Sequence, residues 1–330
     1  MTQAEQTQTI ANPPDDGITT VNYLCDNTHL FVSSWDDKLR LYNCPNNTLV
    51  HSWEETCPVL SCSSDEFGNG YSSLANGDVK LYDISTQNSF TLGKHDAAVK
   101  FLKFNFGTRL LVSGSWDGTV RQWDPRNPDR KSVSTTSVPG KVFALDSLKD
   151  KIVVCLSSGR IQTYDGRNML SPLFDTESPL KMQMRAVGIF LSLEGYVVGG
   201  TEGKVGVEYF LDGQGGTRTR NYQFRCHRVK TADQEEVHPV NAIDFHPIHG
   251  TFATGGCDGV VNIWDGENRK RLAHFQDFPT SISSLSFSPN GQFLAIASSY
   301  TWEKGDIEHP KDQIFIRTLL EADTKRKIIA

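Results

Sequence analysis

Chemistry needs side chains that converge, and in this 330-residue chain few reactive types stand at useful spacings. His246 and His249 form HPIH, which offers two imidazoles to a metal, but Pro247 between them marks a strand-to-strand turn, and no Cys/His cluster at ligand spacing accompanies them. Asp15 with Asp16, and Asp36 with Asp37, place carboxylates side by side. Neighbours on an extended chain point to opposite faces, so these pairs read as solvated turn residues and not as an acid with its base. Neither GxSxG nor a glycine-rich phosphate loop with Lys-Ser/Thr occurs. No catalytic activity, metal or other cofactor is therefore expected.

More specific chemistry sits in NYQFRCHRVK, Asn221 to Lys230, where Arg225, His227 and Arg228 crowd into a β-rich segment. Alternation along a strand puts Arg225 and His227 on one face. Guanidinium groups grip carboxylate or phosphate in a fixed fork, so the cluster reads as a local anion site, against the plainer reading of a solvated strand edge. Trp35 and Trp116 each precede a turn aspartate at equivalent points of two similar segments. They read either as exposed anchors for a partner peptide or as packing between neighbouring units.

Whole-chain composition limits what such sites can bind. A net charge of −6 and a pI near 5.9 repel a phosphate backbone, so no specific nucleic-acid partner is expected. Seven scattered cysteines, Cys57 and Cys62 among them, form no CxxC and read as free thiols of a reducing compartment. The opening MTQAEQTQTIANPPDDG lacks the positive flank and apolar run of a signal peptide, and no apolar run is long enough to span a bilayer. The expected setting is cytosol or nucleus, with no membrane partner.

A repeating element must position these residues. Ser33 to Asn43 reads SSWDDKLRLYN, Ser73 to Asp83 SLANGDVKLYD, Ser113 to Asp124 SGSWDGTVRQWD, and Ser157 to Asp165 SSGRIQTYD. Gly199 to Tyr209 (GGTEGKVGVEY), Gly255 to Asp265 (GGCDGVVNIWD) and Ser298 to Arg317, where SSY and QIFIR flank an insertion at 301–311, complete seven copies. Aligned on their terminal position, Tyr42, Tyr82, Trp123, Tyr164, Glu208, Trp264 and Arg317 lie 40, 41, 41, 44, 56 and 53 residues apart. Each copy pairs a turn tolerant of positive φ with residues alternating between two faces, a hairpin that cannot bury its apolar side alone.

A period near 41 with terminal Trp-Asp is similar to that of the WD-repeat family, from end to end of the chain. The resemblance implies an all-β, seven-bladed propeller in one domain over residues 1–330. An N-terminal strand near residues 6–11 is expected to complete blade seven and close the ring, leaving a tail from about residue 319 to 330. It also implies a buried network of His95, Asp117 and Trp123. Blades four and five, with Ser158 and Glu202 at the turn and no tryptophan, are the least regular.

The irregular parts carry a narrower resemblance. SSWDDKLRLY, GSWDGTVRQWDPRNP, GKVGVEYF followed by FRCHR, HPVNAIDFHPIHGTFATGGCDGVVNIWD and LAIASSYTWEKGDIEHPKDQIFIR together resemble the WD-repeat spindle-assembly checkpoint proteins of the budding-uninhibited type. A sibling group, the WD-repeat mRNA-export factors, shares the CHR segment and ASSY strand and would instead bind a nucleoporin motif and RNA. The first resemblance implies a non-enzymatic adaptor whose top face binds an acidic motif of checkpoint kinases through Trp35, Trp116, Glu208, Arg225, His227 and Arg228. It further implies phosphothreonine motifs of a kinetochore scaffold bound by Arg185, Arg225 and Arg228, with anaphase-promoting complex regulators as further partners. Glu208, an acid where other copies carry an aromatic, either meets a basic partner residue or caps a buried arginine. The implied location is the nucleus, the kinetochore in mitosis, and the cytoplasm.

Overall fold

Short alternating segments joined by tight turns can pair only with their neighbours in sequence, and they do so in fours. The computed structural model describes residues 7–326 apart from 128, 130, 211–219 and 231–233. After β1 (Thr7–Thr9), blade one comprises β2 (Ile18–Tyr23), β3 (His29–Ser34), β4 (Lys38–Asn43) and β5 (Thr48–Glu54). Blade two comprises β6 (Val59–Ser64), β7 (Asn69–Leu74), β8 (Asp78–Asp83) and β9 (Ser89–Lys94), and blade three β10 (Val99–Asn105), β11 (Leu110–Ser115), β12 (Thr119–Trp123) and β13 (Ser132–Ser137). Blade four holds β14 (Val142–Leu148), β15 (Lys151–Leu156), β16 (Arg160–Asp165) and β17 (Phe174–Glu177), and blade five β18 (Met184–Ile189), β19 (Gly195–Gly200), β20 (Lys204–Tyr209) and β21 (Tyr222–Arg225). A hairpin of β22 (Arg228–Lys230) and β23 (Glu235–Val237) precedes blade six, β24 (Val240–Phe245), β25 (Phe252–Gly256), β26 (Val261–Asp265) and β27 (Lys270–Phe275). Blade seven is β28 (Ile282–Phe287), β29 (Phe293–Ser298) and β30 (Gln313–Thr318), with β1 as its fourth strand, so the sheet order is β1-β30-β29-β28.

This is the seven-bladed, all-β propeller expected from the repeat, closed by an N-terminal strand. The closing strand is shorter than expected, Thr7–Thr9 against residues 6–11, and Gln6 lies outside the described residues, as do 327–330 of the tail. The aligned repeat positions prove equivalent in register. Tyr42, Tyr82, Trp123, Tyr164, Glu208, Trp264 and Arg317 each pair across to the start of the preceding strand, opposite Leu30, Gly70, Leu111, Ile152, Tyr196, Phe252 and Leu294. The irregular turns at Ser158 and Glu202 lie between the same two strands as the aspartate turns. At the blade-two turn only glycine fits, because Gly77 has a φ of 96° and a Cβ there would stand 2.3 Å from His95 O.

Buried apolar side chains gather in seven layers, each shared by two neighbouring blades. Val21, Leu30 and Tyr42 of blade one pack on Ala295, Ala297 and Ile314 of blade seven, and Phe31, Leu39 and Trp53 meet Cys62 and Tyr82 of blade two. Antiparallel pairing brings the second-to-third strand turn of each blade to the same end as the link to the next blade. We call that end the top. Every innermost strand slips register once near its top, at Thr19, Leu60, Lys100, Phe143, Arg185, Asn241 and Ser283. A bulge leaves one residue unpaired and re-aims its side chain.

The closing segment is stitched to both sides of the seam. Ile10 N–H donates to Ile314 O at 2.9 Å, Ala11 N–H donates to Asn47 Oδ1 at 2.8 Å, and Tyr42 Oη donates to Asn12 O at 2.7 Å. Ile10 itself is buried in the layer between blades seven and one. Ile10→Ala therefore leaves a cavity at the seam and is expected to cost about 2–5 kcal/mol in urea unfolding; a loss below about 1 kcal/mol would show that the seam does not depend on this side chain.

Candidate functional site

The bulged inner residues converge at the top of the central channel. Thr19, Lys100, Phe143, Arg185, Asn241 and Ser283 line one cavity of about 630 Å³, together with Trp35, Trp116 and Trp302 at its rim. Turn geometry puts the tryptophans there. Trp35 N–H donates to Gly17 O and Trp116 N–H to Ala98 O, both at 2.9 Å, which pins each backbone to the approach of its own inner strand. The rings are not buried between blades, with 50% of Trp35, 44% of Trp116 and 63% of Trp302 exposed. Lys141 Nζ lies 5.4 Å from the centre of the Trp116 ring.

Two cations form the floor of this cavity. Arg185 Nη1 donates to Asn241 Oδ1 at 2.7 Å, and neither Arg185 nor Lys100 makes an ion pair with a described carboxylate. Burial, reinforced by the positive charge of Arg185, pushes the Lys100 amine down to about 8. Uncompensated positive charge in a walled, aromatic-rimmed space has one chemical reading: it receives an anion.

The other expected site residues divide among three places. Arg225 ends the outermost strand of blade five, exposed and without a hydrogen bond or ion pair to a described residue. Arg185 is on the innermost strand of the same blade, three strand spacings away, or about 14 Å. The expected trio of Arg185, Arg225 and Arg228 thus starts from separate backbone positions, with Arg185 hydrogen-bonded to Asn241. Arg228 is committed locally: Nη1 donates to Glu235 Oε2 (2.7 Å), Nη2 to Glu202 O (2.8 Å) and Nε to Gly203 O (3.3 Å), which ties the top hairpin to the blade-five turn. Glu208 lies towards the bottom end of blade five, where Oε2 accepts from Asn221 Nδ2 at 2.6 Å, remote from the tryptophan-rimmed mouth.

His227 departs most from the sequence reading. It shares no face with Arg225, because β21 ends at Arg225 and His227 takes a φ of 49° that turns its ring into the blade-six core. There Nδ1 meets Asp258 Oδ1 at 2.9 Å and Nε2 meets Thr254 Oγ1 at 2.8 Å, while Trp264 Nε1 donates to Thr254 Oγ1 at 2.9 Å. Blade three holds the matching network. His95 Nδ1 faces Asp117 Oδ2 at 3.0 Å, Nε2 meets Ser113 Oγ at 2.7 Å, and Trp123 Nε1 donates to Ser113 Oγ at 2.8 Å. His227 is separated from its aspartate by 31 residues and His95 from its own by 22, and the β22–β23 hairpin accounts for the excess. That inserted hairpin hid the equivalence.

His246 and His249 stack with ring centres 4.4 Å apart, His246 Nε2 against Gly291 O and His249 Nδ1 against Thr324 Oγ1 of helix α1 (Glu321–Thr324). Both are engaged in packing the bottom of blades six and seven. Sequence reasoning missed Lys100, Trp302 and the whole ring of bulges. The signal was there: each inner strand opens with an apolar residue, then the odd one, as in Val99-Lys100, Met184-Arg185 and Val240-Asn241.

Comparison with known proteins agrees with this geometry. The family model for the WD domain, G-beta repeat, matches residues 4–43, 86–124, 225–265 and 269–302, and the structure titled "Structure of U3-55K" superposes with a TM-score of 0.84 at 17% identity, over 96% of this chain and 99% of that one. These define a WD-repeat propeller. The mitotic checkpoint protein BUB3.1 of Arabidopsis thaliana is 41% identical over 96% of this chain and 94% of its own length, and the poly(A)+ RNA export protein of Schizosaccharomyces pombe is 32% identical over 90% and 85%. The chain belongs to the Bub3 family of WD-repeat mitotic checkpoint proteins.

Removing the buried imidazole of His227 strands Asp258 and Thr254, so His227→Ala is expected to cost about 2–4 kcal/mol in urea unfolding, while Arg225→Ala stays within about 0.5 kcal/mol. The reverse order would place the binding role on His227 and the structural one on Arg225.

Proposed function

We propose that the chain is a non-enzymatic adaptor of the mitotic spindle-assembly checkpoint whose top face takes an acidic motif carried by checkpoint kinases. The observation that carries this reading is the pair Lys100 and Arg185, half-buried beneath Trp35, Trp116 and Trp302 and without an ion pair to a described carboxylate. A glutamate or aspartate of the motif descends between the tryptophans, pairs with Arg185 in a fork and neutralises the floor, while apolar neighbours cover the rings. The free energy comes from compensating a charge that folding left unmatched, not from contact area.

Arg225, exposed on the edge of blade five, is the proposed contact for a phosphothreonine motif of a kinetochore scaffold, with Arg228 bracing the hairpin beside it. Two separate anion sites on one rigid ring let the adaptor hold a kinase and a phosphorylated scaffold together, which sets the place of action at the kinetochore in mitosis. Anaphase-promoting complex regulators are further partners in this reading. The mRNA-export alternative has the lower similarity behind it, 32% identity against 41%.

Arg185→Glu is expected to weaken an acidic kinase-motif peptide at least about a hundredfold in calorimetric titration, and Arg225→Glu to abolish phosphopeptide affinity, each with the melting temperature nearly unchanged. Intact binding in either variant, or a large loss of stability, would refute the corresponding assignment. Affinity purification from mitotic cells should recover checkpoint kinases; recovery of RNA and nucleoporins alone would favour export.

Lys100 gives a pH signature. Its charged form binds the motif, and its amine in the free protein loses the proton near 8, below the ordinary lysine value. Affinity is therefore flat below about pH 7 and falls as pH rises through about 8, by at most about tenfold per unit for one proton. Lys100→Met should remove that slope; a slope that survives the substitution would assign the proton elsewhere.

A further inference from the structure

An open strand edge is a template for another chain, and folded proteins usually blunt it with charge, proline or shortness. Every blade of the ring ends in such an edge. β5 carries Glu54, β9 Lys94 and β27 Lys270 and Arg271, while β17, β21 and β1 span four residues or fewer. β13, SVSTTS, is six residues long and has neither charge nor proline.

Its unpaired backbone faces outward. Val138 N–H donates to Gly118 O, and Thr136 lies opposite Val120, so alternate residues bond to β12 and the backbone groups of Thr135 and Ser137 point away from the sheet. Along this edge runs a cavity of about 1150 Å³, walled by Val133 to Ser137 on one side and by Gly166 to Leu170 of blade four on the other. Leu170 is 92% exposed at its lip. Thr108 Oγ1, buried in the same cavity, has no hydrogen-bond partner.

Charge sets the direction of an occupant. Lys149, in the first hairpin of blade four, lines the bottom end of the groove, and Lys131 immediately precedes β13 at the same end; both are exposed and without an ion pair to a described residue. The groove's aspartate, Asp150, is already engaged by Lys151 and Arg167. An antiparallel fifth strand on β13 would run top to bottom, so its C-terminal end would reach the two lysines.

We propose that the β13 edge is a docking site for an extended segment of a partner protein, rich in β-branched residues and ending in acidic ones, which adds to blade three as a fifth strand. The main chain supplies the affinity through Thr135 and Ser137, and Lys131 with Lys149 selects the acidic end. This surface lies on the side of the ring, separate from the top-face cavity, so occupation of one leaves the other open.

The test is fluorescence anisotropy with a labelled peptide alternating valine and threonine over six residues and ending in two glutamates, titrated with the full chain. Saturable binding below about 1 mM is expected, weakened at least about tenfold by Thr135→Pro, by Ser137→Pro, and by moving the glutamates to the peptide's N-terminus. Neither proline removes a backbone bond made within the blade, and thermal melting identifies which variant is folded. Hydrogen exchange should slow at Thr135 and Ser137 when peptide binds. Absence of saturable binding, binding undiminished in a folded proline variant, or unchanged exchange at both amides would overturn the proposal.

Discussion

Each blade is apolar on both faces, so none is stable without a neighbour on either side, and a closed ring is the arrangement that gives every blade two. Seven inter-blade layers result, and no single central core exists. The hollow axis follows from this. Innermost strands point edge-on to the centre instead of packing across it, which leaves a channel whose mouth the bulges can furnish with any side chain. Binding chemistry at the top is therefore free of the packing constraint that governs the blades.

The two kinds of polar group in the molecule illustrate that separation. Within blades three and six, His95 and His227 have both ring nitrogens satisfied, and their aspartate, hydroxyl and indole partners form closed networks buried with the strands. Blade two reaches the same end differently: Glu55 accepts from Tyr82 Oη and Lys80 Nζ, both at 2.6 Å. In the channel mouth two positive charges lack an ion pair with a described carboxylate. Lys100 and Arg185 share the cavity with asparagine, threonine, serine and Asp16 but form an ion pair with no described acid, a condition tolerated because the cavity opens to water. Satisfied networks belong to stability, and unmatched charge belongs to recognition.

The architecture was legible in the letters because a hairpin repeat of about 41 residues leaves a period that survives substitution, and even the weakest copies, at Ser158 and Glu202, pair in the same register as the rest. The site was only partly legible. Trp35 and Trp116 could be singled out because they interrupt a turn that is otherwise small or polar, and Arg225 because it falls in a cluster. His227 was misplaced because a single positive φ breaks strand alternation, and nothing in FRCHR announces it. Arg185 stands at the opposite edge of blade five from Arg225, since distance across a blade grows with strand order and not with sequence separation. Lys100 and Trp302 come from blades remote in sequence, and only the closed ring makes them neighbours.

Blade seven is built from the first and last parts of the chain: Arg317 Nη1 donates to Thr7 Oγ1 across 310 residues. Synthesis delivers β1 first among the described strands and its partner β30 last. Through nearly the whole of synthesis the growing chain is an open arc, with a finished apolar blade face exposed at its leading end and β1 idle. Completion of the ring thus waits for β30 and closes a large loop, and until it occurs blades one and six each lack one neighbour. The tryptophan-rimmed mouth, which draws on Trp35 from blade one and Trp302 from blade seven, comes into being only when that step is done, so a chain lacking blade seven cannot present it.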